Sequence, residues 1–269
     1  MGVIVFSNQK GGVGKSTLSV LYAHWLAERK AMRVCLIDLD TQCNSSKSLG
    51  RFASGVEARA LFAPEPLVWS RPEGSGITLI GGSKALADVE LSEPERVISA
   101  FCGHVAALGQ VFDWVVIDTP PALGLRMSAA LIAADSVLCP IELEEYSIDG
   151  VTDMLKTVFG VQRRYNPRLR LAGIVANRFN PHSVRQKAAL QELVSNYTEF
   201  VLPAKISTRS AIPEALAEGL PVWKLTKSSA RESGAELLTM FDLLWQRIAG
   251  PCSTEPDTRA HAHGDGGAP

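Results

Sequence analysis

Lys10-Gly11-Gly12-Val13-Gly14-Lys15-Ser16-Thr17 stands shortly after the apolar run Val3 to Phe6 and opens a stretch that reads as a helix toward Arg29. Strand, glycine loop and helix in this order make a cradle for phosphate. The glycines let the backbone curl until successive N–H groups point inward, and the positive end of the following helix adds to the attraction. Lys15 is then placed to reach β- and γ-phosphates, and the Ser16 hydroxyl to ligate Mg²⁺.

Outward from this loop, short and nearly continuous apolar runs recur at Val3 to Phe6, Val34 to Ile37, Ile77 to Ile80, Trp114 to Ile117, Val137 to Pro140, Leu171 to Ala176 and Phe200 to Leu202. Strands buried on both faces have this composition, and most of the intervals are long enough for crossover helices. The pattern predicts an α/β fold, a mostly parallel central sheet with helices on both faces. Helices are expected from Gly14–Thr17 to Arg29, over Ile148 to Tyr165, Val184 to Asn196 and Ala230 to Ile248. Another is expected where Ser92 precedes Glu95 by three residues, a capping-box spacing, with Pro94 in the first turn. Ser45 to Gly76 is the least periodic stretch and reads as short helices and loops. Residues 1–249 are expected to form one domain. Gly250 to Pro269, rich in Gly, Pro, His and Asp, has almost nothing to bury and reads as a disordered tail.

Two more runs end in aspartate, Val34 to Ile37 followed by Asp38-Leu39-Asp40, and Val115 to Ile117 followed by Asp118. In an open α/β sheet the carboxyl ends of adjacent strands converge on one crevice, so these acids are expected near the phosphates.

Composition sets the class. The chain has 269 residues, 46% of them apolar and 20% charged, enough to bury a core. It shows no signal peptide and no long uncharged apolar run, and a cytoplasmic location is expected. Its five scattered cysteines include no C-x-x-C pair, which suggests neither a disulfide framework nor a zinc site. The net charge of −1 conceals an asymmetry: Arg163 to Arg231 holds twelve Lys/Arg against four Asp/Glu. Such a basic half fits a polyanion partner as well as solvated helix faces.

The strict Walker pattern asks for glycine where Gln9 stands, and Lys10 is a second lysine beside that gap. This K-G-G-x-G-K-[ST] variant resembles the deviant Walker A loop of the ParA, MinD and nitrogenase-iron-protein superfamily of P-loop NTPases. The resemblance extends over about Val3 to Trp245. It includes Asp113 to Gly150, Gly173 to Asn180, and the stretch from Leu202 through Arg209 to Trp223, where plasmid partition ATPases of the IncC group are most similar. What it implies is specific. ATP and Mg²⁺ would be bound by Lys10, Gly11, Gly12, Val13, Gly14, Lys15, Ser16 and Thr17, and Lys10 would reach across a homodimer to the partner's nucleotide. Asp118 would be the Walker B acid holding Mg²⁺ through water, with Asp38 supporting the metal side or serving as a strand-end turn residue. Asp40 would orient the attacking water, so that Lys10, Lys15 and Asp40 carry the hydrolysis. Asn177 would bond the adenine edge and Pro203 would pack on adenine or be a simple loop proline. Where many relatives read D-x-D-P-Q-G-N, this chain has Thr41 and Cys43 in place of Pro and Gly, and Cys43 is the less expected.

Within the superfamily the iron–sulfur branches ask for cysteine contexts that Cys102 and Cys139 lack. A MinD-like membrane helix is disfavoured because Leu237 to Ile248 carries Asp242 and precedes a polar tail. The DNA branch remains. Positions similar to its nonspecific DNA contacts are Arg185 or Lys187, Arg209, and Lys227 or Arg231. No helix-turn-helix precedes the first strand, which is similar to short ParA forms and argues against operator binding by this chain alone. The resemblance thus implies a nucleoid-associated ATPase that segregates a plasmid or chromosome and is stimulated by a ParB-type centromere-binding protein. The alternatives are a ParA-like ATPase that positions a protein assembly, and a MinD-like membrane-associated ATPase.

Overall fold

The computed structural model of the protein describes residues 1–143 and 147–249, without the side chains of 147–149. The expected tail from Gly250 to Pro269 lies outside the described residues. Eight strands, β1 (Gly2–Phe6), β2 (Arg33–Asp38), β3 (Ala53–Glu57), β4 (Gly76–Gly81), β5 (Trp114–Asp118), β6 (Ser136–Glu142), β7 (Arg170–Phe179) and β8 (Val201–Ser207), form one sheet in the order β3-β4-β2-β5-β1-β6-β7-β8. Every pairing is parallel.

The helices are α1 (Lys15–Arg29), α2 (Asn44–Leu49), α3 (Pro94–Leu108), α4 (Leu125–Ala133), α5 (Ser147–Arg164), α6 (Val184–Tyr197), α7 (Ala211–Ala217) and α8 (Ser228–Ala249). Strand alternation sends Val3, Val5, Cys35, Ile37, Val115 and Ile117 to a core shared with α3, α4 and α5. Ile4, Phe6, Val34, Leu36 and Val116 go to the other face, against α1, α7 and α8. Each of these central strands is therefore apolar on both sides, which is why the sequence shows runs rather than alternation.

Chain direction reverses at β1. From β1 the chain moves to β2 on one side, and from β5 it steps over β1 to β6 on the other. The carboxyl end of β1 is thus the topological switch point, where an open α/β sheet offers its crevice. Lys10 to Thr17 lies there.

Three expectations are corrected. Ser92 does not cap α3: Glu93 holds that position without a side-chain bond, because Lys84–Leu91 forms a 3₁₀ helix that ends on Ser92, whose hydroxyl donates to Asp88 O at 3.3 Å. The stretch read as short helices and loops also contains β3, an exposed edge strand. The last strand does not stop at Leu202 but continues through Pro203 to Ser207. As a sheet edge, β8 leaves one side without strand partners, so a residue lacking an N–H is tolerated.

Candidate functional site

The loop is held from both sides. Gly12 and Gly14 have φ of 80° and 93°, the left-handed region that glycine adopts without strain. Gly14 is also required for space: a Cβ there would stand 2.1 Å from Asn177 Nδ2, which donates to Val13 O at 2.8 Å. Because Gly14 is the N-cap of α1 and has no side chain, no side-chain acceptor takes up the first N–H groups of that helix. They face the cleft as an anion site.

Lys15 is only 6% exposed, and its Nζ donates to Lys10 O at 3.0 Å, closing the loop on itself. Burial lowers its pKa, against the opposing pull of Asp118 and Asp40. Lys10, next to the cleft-lining Gly11, is exposed, with its N–H donating to Asn8 Oδ1 at 2.9 Å.

The carboxylates lie level. Asp38 at the end of β2 pairs in register with Asp118 at the end of β5, and Phe6 at the end of β1 pairs with Asp118 from the other side. Equal register puts both aspartates on the α1 face, under the loop. Asp118 is fully buried, and burial followed by repulsion from Asp38 pushes its pKa well above the usual carboxylate range. Ser45 Oγ donates to Asp118 Oδ2 at 2.7 Å, while Oδ1 has no hydrogen-bond partner. Asp38 is spoken for: Oδ1 accepts from Asp40 N at 3.0 Å, and Oδ2 from Ser46 N and Oγ at 2.8 and 2.6 Å. Burial raises its pKa as well, the bonds from Ser46 and Asp40 opposing. The first turn of α2 thus hangs from two strand-end aspartates. Asp40, 7% exposed, accepts from Gln42 N and lines the loop's cleft.

A buried carboxylate with one orphaned oxygen, crowded by like charge, is a poor resting arrangement for the protein alone and a good one for a cation. Ser16, which lines the loop's cleft, lies close enough to Asp118 to oppose the rise in its pKa, so a hydroxyl and a carboxylate are near neighbours. Among the described residues there is no cluster of three or more His, Cys, Asp or Glu able to hold a metal by itself. The residues present therefore fit Mg²⁺ taken in with phosphate, the usual mode for an ion that keeps waters and needs few protein ligands.

Residues 1–171 match the family model described as AAA domain. Protein IncC of Escherichia coli is 37% identical over 252 residues, covering 92% of this chain and 70% of IncC. The chromosome-partitioning ATPase Soj of Thermus thermophilus is 33% identical over 219 residues, 80% of this chain and 85% of Soj. The chain belongs to the ParA/Soj/IncC family of P-loop ATPases. A solved cobyrinic acid a,c-diamide synthase from Mycobacterium smegmatis, with ATP analogue and magnesium bound, superposes with TM-score 0.70 at 26% identity, over 93% of this chain and 96% of that one.

Within this ParA-type frame, Cys43 has φ of 56°, a left-handed conformation at the N-cap of α2. Glycine takes that conformation freely, whereas a residue with a Cβ is strained. Its thiol donates to Thr41 O at 3.4 Å.

The ParA-type expectations away from the loop fare unevenly. Asn177 meets the loop backbone through its amide nitrogen. Pro203 is not a loop proline: it lies inside β8, between the residues that pair with Ile174 and Ala176, and lines a groove with Leu190, Val194 and Thr239. Of the basic positions, Arg209 pairs with Glu232 and Glu236, and Lys227 with Glu214. Those two charges are balanced within the chain. Arg185 and Lys187 on α6 and Arg231 on α8 are exposed. No helix among the described residues is long and apolar enough to cross a membrane.

A concavity of about 1130 Å³ lies at the amino ends of the strands and is lined by residues including Met1, Arg33, Asp113 and Arg168. The loop's cleft is smaller, about 180 Å³. Chemistry, not size, identifies the site. Sequence reading missed Ser45 and Ser46, whose polar neighbourhood after Asp40 was the available signal, and Arg178, which lines the same cleft.

Proposed function

We propose that this chain is an ATP-driven DNA-segregation switch: it binds ATP with Mg²⁺, closes into a homodimer through Lys10, holds nonspecific DNA as a dimer, and releases it on hydrolysis stimulated by a ParB-type partner. The observation that carries this reading is the deviant loop itself. One lysine is folded into the loop and bonded to the carbonyl of the other, while that second lysine is exposed.

The chain's own residues divide the work. The loop N–H groups and Lys15 bind the phosphate tail, and leaving the Lys10 carbonyl for phosphate is how Lys15 would register occupancy. Asp118 and Ser16 hold the metal side, and Mg²⁺, when bound, would offset phosphate charge in the transition state. Asp40 orients the attacking water. Asp38 positions α2 through Ser46, so the shape of the water-bearing segment follows that of the metal side. DNA contact falls to Arg185, Lys187 and Arg231, with Arg209 and Lys227 joining if their glutamates let go. Location at the nucleoid follows from DNA contact.

Retention of the protein on nonspecific DNA, compared with ATP, with ADP and without nucleotide, tests the reading. ATP-specific retention that falls with salt is the expected result; equal retention in all three arms contradicts it. The internal ion pairs of Arg209 and Lys227 favour a second reading, an ATPase of the same family that positions a protein assembly, for which no ATP-dependent DNA retention is expected.

A further inference from the structure

Arg178 follows Asn177 at the carboxyl end of β7, and its backbone has φ of 54°. This is the left-handed region, which a long side chain occupies only when its surroundings impose it. The neighbours on both sides are fixed. Asn177 is buried and bonded to Val13 O, and Phe179 is buried with the Lys205 ammonium 4.6 Å from its ring centroid.

The consequence is a break in strand alternation. Val175 belongs to the α1 face, and Asn177, two residues on, reaches the loop on that face; Phe179 should follow them. Instead Phe179 packs in the opposite core, beside Ala176. The left-handed residue absorbs this reversal, and Arg178 lines the cleft with Gly12, Lys15, Thr17, Asp40, Asn44 and Pro121. Arg178 is exposed, and among the described residues its guanidinium has no hydrogen-bond or ion-pair partner. An unpaired planar cation is thus turned into a cleft already furnished with helix N–H groups and a lysine. The complementary ligand is a multiply charged oxyanion, which a guanidinium can take by two parallel hydrogen bonds.

We propose that Arg178 is a nucleotide-contacting residue of this site, binding the phosphate tail held by the loop of its own chain. The inference rests on the nucleotide reading above and adds a residue and a reason for the strained backbone: the strain sets the direction of the guanidinium.

The test is ATP and ADP affinity, by titration calorimetry, of the wild type, Arg178→Ala, Arg178→Lys and Arg178→Gly. Arg178→Ala is expected to weaken ATP by about tenfold or more, and Arg178→Lys by less, since it keeps the charge and loses the fork. Arg178→Gly separates contact from folding. It relieves the backbone, so its unliganded thermal midpoint should equal or exceed the wild type, while ATP affinity falls as far as in Arg178→Ala. Wild-type affinity in Arg178→Ala or Arg178→Gly overturns the proposal. So does unchanged nucleotide affinity combined with lost dimerisation, which would put the contact on the partner's nucleotide. Failure of the wild type itself to bind ATP would instead overturn the nucleotide reading on which the proposal stands.

Discussion

Helix α1 has two ends in different worlds. Its body packs Tyr22 and Trp25 against Phe241 and Trp245 of α8, with ring centroids 5.2 to 6.0 Å apart, and Trp114 closes the stack at 5.5 Å from Trp245. Its first turn meets a cleft edge where Gly12, Gly14, Cys43 and Arg178 all have positive φ and two aspartates are buried side by side. The back of the molecule is dominated by apolar packing, with the Tyr22 hydroxyl and His24 Nε2 buried without partners; the front combines strained backbone with buried charge. Such strain persists where the surrounding structure over-determines it, and it clusters at functional sites. The aromatic stack is what can tolerate the front.

The largest expected effect breaks the back. Phe241→Ala removes a fully buried ring touching Tyr22, Trp25 and Trp223 and should cost about 3–5 kcal/mol of stability in chemical denaturation. Nucleotide affinity of the folded fraction should not change; a loss of affinity as large as the loss of stability would mean that the two regions are not separable.

The next effect also belongs to the back. His24 is buried, its Nε2 has no partner, and burial pushes its pKa down to about 4. The folded protein therefore holds it neutral while the unfolded chain takes a proton below about pH 6.5. Stability is full above that pH and declines as pH falls toward 4, by on the order of 3 kcal/mol in total. Denaturation midpoints across this window should show the slope in the wild type and a flatter one in His24→Gln.

At the front, Lys15→Ala should leave folding intact and weaken ATP about a hundredfold, the scale of a buried charge-assisted bond; fluorescence titration with an ATP analogue measures it. Asp118→Asn sharpens the contrast most, because its signs oppose. Removing a carboxylate whose ionisation is disfavoured by burial and by Asp38 should stabilise the nucleotide-free protein at every pH above the usual carboxylate range. The same change should abolish the Mg²⁺-dependent part of ATP affinity. Thermal midpoints at pH 8 with and without Mg²⁺-ATP would reveal both.

How much of this was legible followed the same division. Apolar runs announced the buried strands because both faces of each are covered, and the glycine loop announced its own cleft. The edge strand β3, Ala-Ser-Gly-Val-Glu, is exposed and has no apolar signature to read. Helix α7 was overlooked for a different reason: it is only seven residues long and carries Pro213 in its first turn. Pro203 misled because proline reads as loop, and only the sheet order reveals an edge that accepts it. Arg178 could not be read at all. Its significance is a backbone angle imposed by Asn177 on one side and Phe179 on the other, and no residue type at that place encodes it. Cys43 is the intermediate case, where resemblance flagged the residue and φ of 56° supplied the reason.

The claim from which the rest follows is that nucleotide joins two copies through Lys10. Light scattering after gel filtration, with a nonhydrolysable ATP analogue and Mg²⁺, tests it directly on the wild type and Lys10→Ala. The account predicts that the wild type doubles its mass while Lys10→Ala, still binding nucleotide weakly, stays single. A wild type that remains single with nucleotide bound, or a Lys10→Ala variant that pairs as well as the wild type, would contradict it.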